Sequence, residues 1–282
     1  MIMEFIERLK DYIKKNDDFD IVNIAGSFSD KKNKNRYDEF SDIDLFIVTE
    51  KKDYYLSNKD WLSFYGKNFI YFNDPISLGT GMELRVAFDD GLLADIAIVN
   101  DLEFQKLKEN KIFCEKIIDR GFTTLKNNYD KHYFEHKKYK EEVVTQYEWN
   151  RKIDEFWIDI CNIYKYFVRK DYFSAKYAFD RRILKILIYT LEEYTKIKNP
   201  KQDVYFNGRY MRKWLDKESF EEMNNIDSSI EPNKMILSIQ LAIKMFEEKI
   251  NKIFDYYGYS NDIERDNLIR NIKEKINGEI ND

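Results

Sequence analysis

The chain has 282 residues, of which 43% are hydrophobic and 35% charged, and its net charge is −5. This length suffices for two modest domains, and the composition is not that of a disordered protein. No apolar run reaches the roughly 18 residues of a membrane span, and the amphipathic start MIMEFIERLKDYIKK resembles neither a signal nor a transit peptide. We therefore expect a cytoplasmic protein without a membrane partner. The acidic balance also argues against a nucleic-acid partner and fits a small cationic one better.

The first half of the chain mixes helical and strand periodicities. Residues 3–15 predict an amphipathic helix with one apolar face. Two apolar strands follow at 20–25 and 43–49, and a short helix–strand segment follows at 61–72. Strands at 82–88 and 92–99 then form a hairpin around the turn at 89–91. We predict an α/β (α+β) domain with a mixed sheet over residues 1–135.

From about residue 140 the apolar residues recur at helical spacing. Three stripes mark three long helices, at 153–167, 175–191 and 236–254. The pattern predicts a C-terminal helical bundle domain over 136–282. The segment 119–142, rich in charges and Tyr, is expected to connect the two halves.

Two carboxylates open the strand SDIDLFIV. Asp42 and Asp44 stand two residues apart, so their side chains share a face. Adjacent carboxylates repel each other unless a cation lies between them, and oxygen ligands suit Mg²⁺. A third acid, Asp95, lies inside the apolar run LLADIAIV, where an unpaired carboxylate is unfavourable. We predict that these three residues together bind divalent metal.

The order Gly-Ser, then D-x-D, then an Asp within a strand resembles the nucleotidyltransferase superfamily that includes DNA polymerase beta. A D-x-D alone is weak, because Asp is common at strand ends. Gly26 allows close approach of a phosphate, and the N–H and hydroxyl of Ser27 can bind it. In this interpretation Asp42 and Asp44 hold the nucleotide-bound metal, and Asp95 completes a second metal site.

Most of the chain resembles a more specific family, the bacterial aminoglycoside 6-adenylyltransferases (streptomycin adenylyltransferases). The matching segments are GSF, SDIDLFIVTE, FDDGLLADIAIV, DEFWIDICNIYKYFVRKDYFSAKYAFDRRILKIL and GRYMRKWLDKESFEEM. The resemblance implies a nucleotidyltransferase that moves AMP from ATP to a drug hydroxyl, requires Mg²⁺ and releases pyrophosphate. ATP and a small cationic antibiotic are then its partners.

Three positions depart from the family pattern. Phe28 stands where the family has Arg after Gly-Ser, so Arg36 or a nearby Lys of the basic loop is the expected substitute at the phosphates. Ile43 replaces the Tyr of Asp-Tyr-Asp, which keeps both ligands. Asp180-Arg181 replaces an Asp-His. These changes leave metal binding intact and leave the identity of the drug open.

A drug hydroxyl needs a general base. The resemblance implies Asp180, whose alternative role is that of a surface acid paired with Arg181, Arg182 or Lys176; Glu83 is a second candidate base. Glu155 and Asp159 lie one helical turn apart. They either line an acidic pocket that binds the substrate or form a solvated stripe.

Other acceptors stay open at this point. A lincosamide, another hydroxylated small molecule, or a protein or tRNA modified by a toxin would fit the same chemistry. A non-catalytic nucleotide sensor would not need all three carboxylates. The sequence leaves open whether the protein is a monomer or a homodimer.

Overall fold

The structure of the chain, a computed structural model, describes residues 1–30, 37–76, 80–139, 143–204, 207–227, 229–260 and 263–278. The chain divides into two units, Met1–Glu141 and Glu142–Asp282. Within the described ranges, no helix combines the length and the apolarity needed to cross a lipid bilayer.

The first unit contains the predicted mixed sheet. Its strands run in the order β3-β4-β5-β2-β1-β6, with β2 and β5 parallel and all other neighbours antiparallel. Their bounds are Ile21–Ile24 (β1), Ile43–Val48 (β2), Phe69–Pro75 (β3), Met82–Phe88 (β4), Leu93–Val99 (β5) and Thr123–Asn127 (β6). The hairpin predicted around residues 89–91 is confirmed as β4–β5.

Helices cover both faces of this sheet. The helices are Ile2–Lys14 (α1), Gly26–Ser29 (α2), Lys52–Ser57 (α3), Asp101–Leu107 (α4) and Lys111–Phe113 (α5); the 3-10 turns are Asp60–Phe64 and Lys131–Phe134, and a π-helical turn spans Cys114–Ile118. The apolar stripe of α1 shares a core with Leu45 of β2. The next residue, Phe46, points to the opposite face and packs against Phe104 and Phe113, with ring centroids 5.4 and 5.6 Å apart.

The segment 119–142 is more than the connector we expected, because it contributes β6 to the sheet. This strand pairs with β1 at the sheet edge and is partly exposed along its whole length. An edge strand needs little apolar surface, so its sequence TTLKN carries almost no periodic signal.

The second unit is helical where the structure describes it. Its helices are Gln146–Val168 (α6), Tyr172–Ala178 (α7), Leu184–Lys198 (α8), Met211–Trp214 (α9), Lys217–Asn224 (α10), Pro232–Tyr257 (α11) and Ile263–Gly278 (α12), with a π-helical turn at Phe179–Ile183 between α7 and α8. The three predicted stripes lie on α6, on α7–α8 and on α11. They meet in one core, where Phe156 stacks on Phe246 with centroids 3.9 Å apart. Between α6 and α7 the chain turns at Lys170, whose φ is +60°, and Asp171 caps the next helix.

Candidate active site

The parallel pairing of β2 and β5 brings the three predicted metal ligands together. Asp44 lies directly opposite Asp95 in the register, and Asp42 precedes β2 by one residue on the same face. One carboxylate oxygen from each residue lies within 4.8 Å of the other two, and all three side chains are half-buried. The acids lie on the same face of the sheet as Phe46, next to the apolar core to which Phe46 belongs.

Gly26 is packed against one of these carboxylates. Its φ is +64°, and a Cβ there would lie 1.7 Å from Oδ2 and 2.5 Å from Cγ of Asp44. The N–H of Ala25 donates to the carbonyl oxygen of Asp44 at 2.8 Å. Glycine is therefore required at this position not only for the predicted approach of phosphate but also because any side chain would overlap that of Asp44.

Ser27 follows in the short helix α2. Its Oγ is buried and has no hydrogen-bond partner among the described residues. A buried hydroxyl normally has a partner, so this one has unused capacity for a ligand oxygen or a water. Phe28, which replaces the family's Arg, packs on Tyr37 with ring centroids 4.9 Å apart. Arg36 belongs to residues 31–36, which lie outside the described part of the chain.

An arginine that sequence reasoning did not select lies beside the triad. Arg85 of β4 is directly opposite Asp95, and its Nε lies 3.9 Å from Oδ1 of that residue. The same guanidinium holds Glu83 more tightly, through Nη2 and Nε at 2.8 and 2.9 Å from Oε2. The alternation of MELRVAF places Glu83 and Arg85 on one face, and the hairpin register adds Asp95, so the signal for Arg85 was present.

Burial dominates the electrostatics of Asp95. Loss of solvent raises the pKa of this carboxyl, and the charge of Glu83 and, more weakly, Asp42 raises it further, whereas Arg85 lowers it. The three acids therefore form a site in which negative charge is crowded and only partly compensated. A divalent cation would relieve that repulsion, and a set of carboxylate oxygens is what Mg²⁺ prefers.

Asp180 lies in the second unit, within the π-helical turn. Its Oδ2 accepts a hydrogen bond from Lys176 four residues earlier, and about a third of each side chain is exposed. Lys176 is one of the surface partners that the sequence offered. The role of Asp180 as the general base stays a prediction.

Glu155 and Asp159 share a face of α6, as their spacing indicates. Both line a cavity of about 830 Å³ in the second unit. Asp159 is 9% exposed and accepts a hydrogen bond from Nη1 of Arg182 at 2.8 Å, while Glu155 is exposed. Arg182 is 23 residues further along the chain, so no local pattern predicted this pair. Binding of the substrate by these two acids stays a prediction.

Comparison with known families shows which family of proteins carries this carboxylate cluster. A family model described as streptomycin adenylyltransferase matches residues 2–276. The chain belongs to the streptomycin adenylyltransferase family. It is therefore a nucleotidyltransferase of the aminoglycoside adenylyltransferase type, and the resemblance seen in the sequence is confirmed. Asp42, Asp44 and Asp95 are the residues of this family member that could hold a metal.

Two solved structures are similar to this streptomycin adenylyltransferase family member. One is an aminoglycoside 6-adenyltransferase from Bacillus subtilis, 16% identical over 97% of this chain and 96% of that one, with a TM-score of 0.45. The other is a nucleotidyltransferase-like protein from Exiguobacterium sibiricum, 9% identical over 90% of this chain and 78% of that one, with a TM-score of 0.34. No curated protein sequence matches the chain.

Proposed function

We propose that the protein transfers AMP from Mg-ATP to a hydroxyl of a streptomycin-like aminoglycoside and releases pyrophosphate. The observation that carries this proposal is the cluster of Asp42, Asp44 and Asp95 beside the Gly26–Ser27 turn, in a chain of the streptomycin adenylyltransferase family. The acceptor oxygen attacks the α-phosphorus, the bond to the bridging oxygen breaks, and the electron pair leaves with pyrophosphate.

The residues of the first unit bind and position the nucleotide. Asp42 and Asp44 would hold the nucleotide-bound Mg²⁺, and Asp95 would complete a second metal site. When bound, Mg²⁺ neutralises phosphate charge and increases the acidity of a coordinated oxygen. Ser27 offers its unpaired hydroxyl to the phosphates, and Gly26 keeps the backbone close to Asp44. Arg36 is the proposed cation at the phosphates. Positioning and charge neutralisation supply most of the rate.

The proton of the acceptor hydroxyl passes to a general base, and a carboxylate is the proposed group. Glu83 is engaged by two nitrogens of Arg85, which holds its charge in an ion pair. Asp180 accepts a hydrogen bond from Lys176, and the family resemblance favours it as the base. We therefore retain Asp180 as the proposed base, with Glu83 as the second candidate.

The test is pyrophosphate release from Mg-ATP against a panel of streptomycin, other aminoglycosides and lincosamides, with product masses recorded. A streptomycin-like drug that gains one AMP supports the proposal. A product formed only with a lincosamide would contradict the acceptor. Absence of any drug product, despite Mg²⁺-dependent nucleotide binding, would point to a protein or RNA acceptor. The Asp42→Asn variant is the control for transfer that does not depend on the site.

A further inference from the structure

The cavity of about 830 Å³ in the helical unit is rich in cations. It lies between one stripe of α6 and one stripe that begins in the π-helical turn and continues into α8. Five basic side chains line it, against three acidic ones. The basic residues are Arg151, Lys152, Arg181, Arg182 and Lys185. The excess positive charge favours an anionic ligand, which is the alternative to the cationic substrate that Glu155 and Asp159 are predicted to bind in the same cavity.

Two of the three acids are already engaged. Glu148 accepts the N–H and the hydroxyl of Thr145, both at 2.8 Å, and so closes the capping box of α6. Asp159 accepts from Arg182 at 2.8 Å. Glu155 is the third, and it is exposed. With five basic side chains against three acidic ones, the cleft keeps a formal excess of two positive charges.

The cations are held close together by the local helix geometry. Arg181 and Arg182 are consecutive residues of the π-helical turn, and both reach the cleft. Lys185 follows within one turn, where like charges repel. Arg181 is oriented by the hydroxyl of Tyr177 at 2.7 Å, and Lys152 lies 4.1 Å from the ring centroid of Tyr189. π-helical turns are rare and often mark functional sites. An anionic ligand would offset the repulsion.

We propose that this cleft binds a polyphosphate, either free pyrophosphate or the phosphate chain of a nucleotide. A guanidinium group can donate two parallel hydrogen bonds to two phosphate oxygens. Several cations around one concave surface therefore suit a ligand that carries several negative charges. The choice of polyphosphate over other polyanions rests on the proposed function, in which triphosphate is consumed and pyrophosphate is formed. The cationic cleft itself does not depend on it.

The experiment measures pyrophosphate binding to the full chain by calorimetry in EDTA, which removes divalent metal. The test variant is Arg181→Gln with Lys185→Gln; both residues are exposed, so the fold is expected to survive. We expect its Kd to rise about tenfold or more, as the loss of charged hydrogen bonds implies. The matched control is Lys217→Gln with Lys234→Gln, which removes the same charge from exposed positions outside the cleft and leaves the Kd within about twofold.

A second arm replaces pyrophosphate by ADP. Tighter binding of ADP, weakened by the same Gln pair, identifies the phosphate chain of a nucleotide; tighter binding of pyrophosphate identifies the free anion. Three results would overturn the proposal: no pyrophosphate binding in EDTA, equal binding by the Gln pair and the wild type, or loss of binding on Asp42→Asn with Asp44→Asn. Aminoglycoside binding that tightens in the Gln pair would assign the cleft to the acceptor and overturn it too. AMP transfer, measured separately, reports on the proposed function.

Discussion

The Cα of Gly26 and the carboxylate of Asp44 occupy adjoining space: a methyl group on the glycine would lie 1.7 Å from Oδ2 of the aspartate. Rotation of the carboxylate alone cannot relieve this overlap, because Cγ and Cβ of Asp44 also lie 2.5 and 3.0 Å from the added methyl carbon. The position of a proposed metal ligand thus depends on the absence of a side chain 18 residues earlier.

Gly26→Ala should therefore impair chemistry more than folding. We expect AMP transfer to fall by about 10² or more, because displacement of a positioning group by an ångström has that effect. The left-handed backbone adds about 1 kcal/mol of destabilisation. Gly258→Ala is the matched control: its φ is +69° and no atom lies within 4 Å of the added Cβ. It should lose only the stability that the left-handed backbone costs, as measured by thermal melting, and keep its turnover. Equal loss of turnover in both variants would contradict the role of the Gly26–Asp44 contact.

The crowded carboxylates make a prediction about metal and stability. Asp42→Asn, Asp44→Asn and Asp95→Asn should each abolish turnover and leave the metal-free protein as stable as the wild type or more so, because each removes mutual repulsion. The wild type should gain melting temperature with Mg-ATP and lose the gain in EDTA, whereas the variants should not respond.

The control for these variants is Asp11→Asn, which alters an exposed acid on α1 that pairs with Lys14 at 3.5 Å. It should melt and turn over like the wild type. Near-normal turnover in Asp42→Asn would refute the assignment of the metal ligands.

The two roles open to Asp180 predict different kinetics. If Asp180 is the base, Asp180→Asn should lower kcat by about 10² or more. If Asp180 is a surface acid, the loss of its helix ion pair with Lys176 should cost about 0.3–0.5 kcal/mol, and the variant should retain activity. Lys176→Gln breaks the same pair and leaves the carboxylate in place. Similar, small effects in both variants would exclude Asp180 as the base.

Asp18 should contribute to stability in a pH-dependent manner. Its carboxylate accepts from Lys51 at 2.7 Å and from the hydroxyl of Tyr55 at 2.8 Å, and chiefly the bond to Lys51 lowers its pKa against the opposing effect of burial. A lowered folded-state pKa means that the stabilisation is present at neutral pH. It is lost as pH falls below about 4, through the folded-state pKa.

Asp18→Asn should accordingly cost about 1 kcal/mol at pH 7 in urea unfolding. The difference from the wild type should shrink towards pH 3. Asp17→Asn is the control, because the side chain of Asp17, next to Asp18 in the chain, is fully exposed. This variant should change stability by less than about 0.5 kcal/mol at either pH. A difference for Asp18→Asn that stays constant with pH would show that the ionised carboxylate is not responsible.

Local patterns located most of the elements but not all of them. The apolar stripe of α1 and the alternation in β4 and β5 are visible in short windows, and the structure bears them out. The edge strand β6 was not predicted, because its partly exposed residues show no alternation of apolar and polar side chains. The π-helical turn before α8 was not predicted either, because it changes the partners of the backbone hydrogen bonds without changing the apolar stripe.

The sequence by itself determined the chemical parts of the site: two acids on one face of a strand, a third within an apolar run, and a Gly-Ser turn. These follow from spacing and from the penalty for burying an unpaired charge. Only the tertiary structure decided their assembly. The parallel register of β2 and β5 sets Asp44 against Asp95, the hairpin brings Arg85 to the same place, and packing makes Gly26 the space for Asp44. Register depends on contacts between residues far apart in the chain, which no local period encodes.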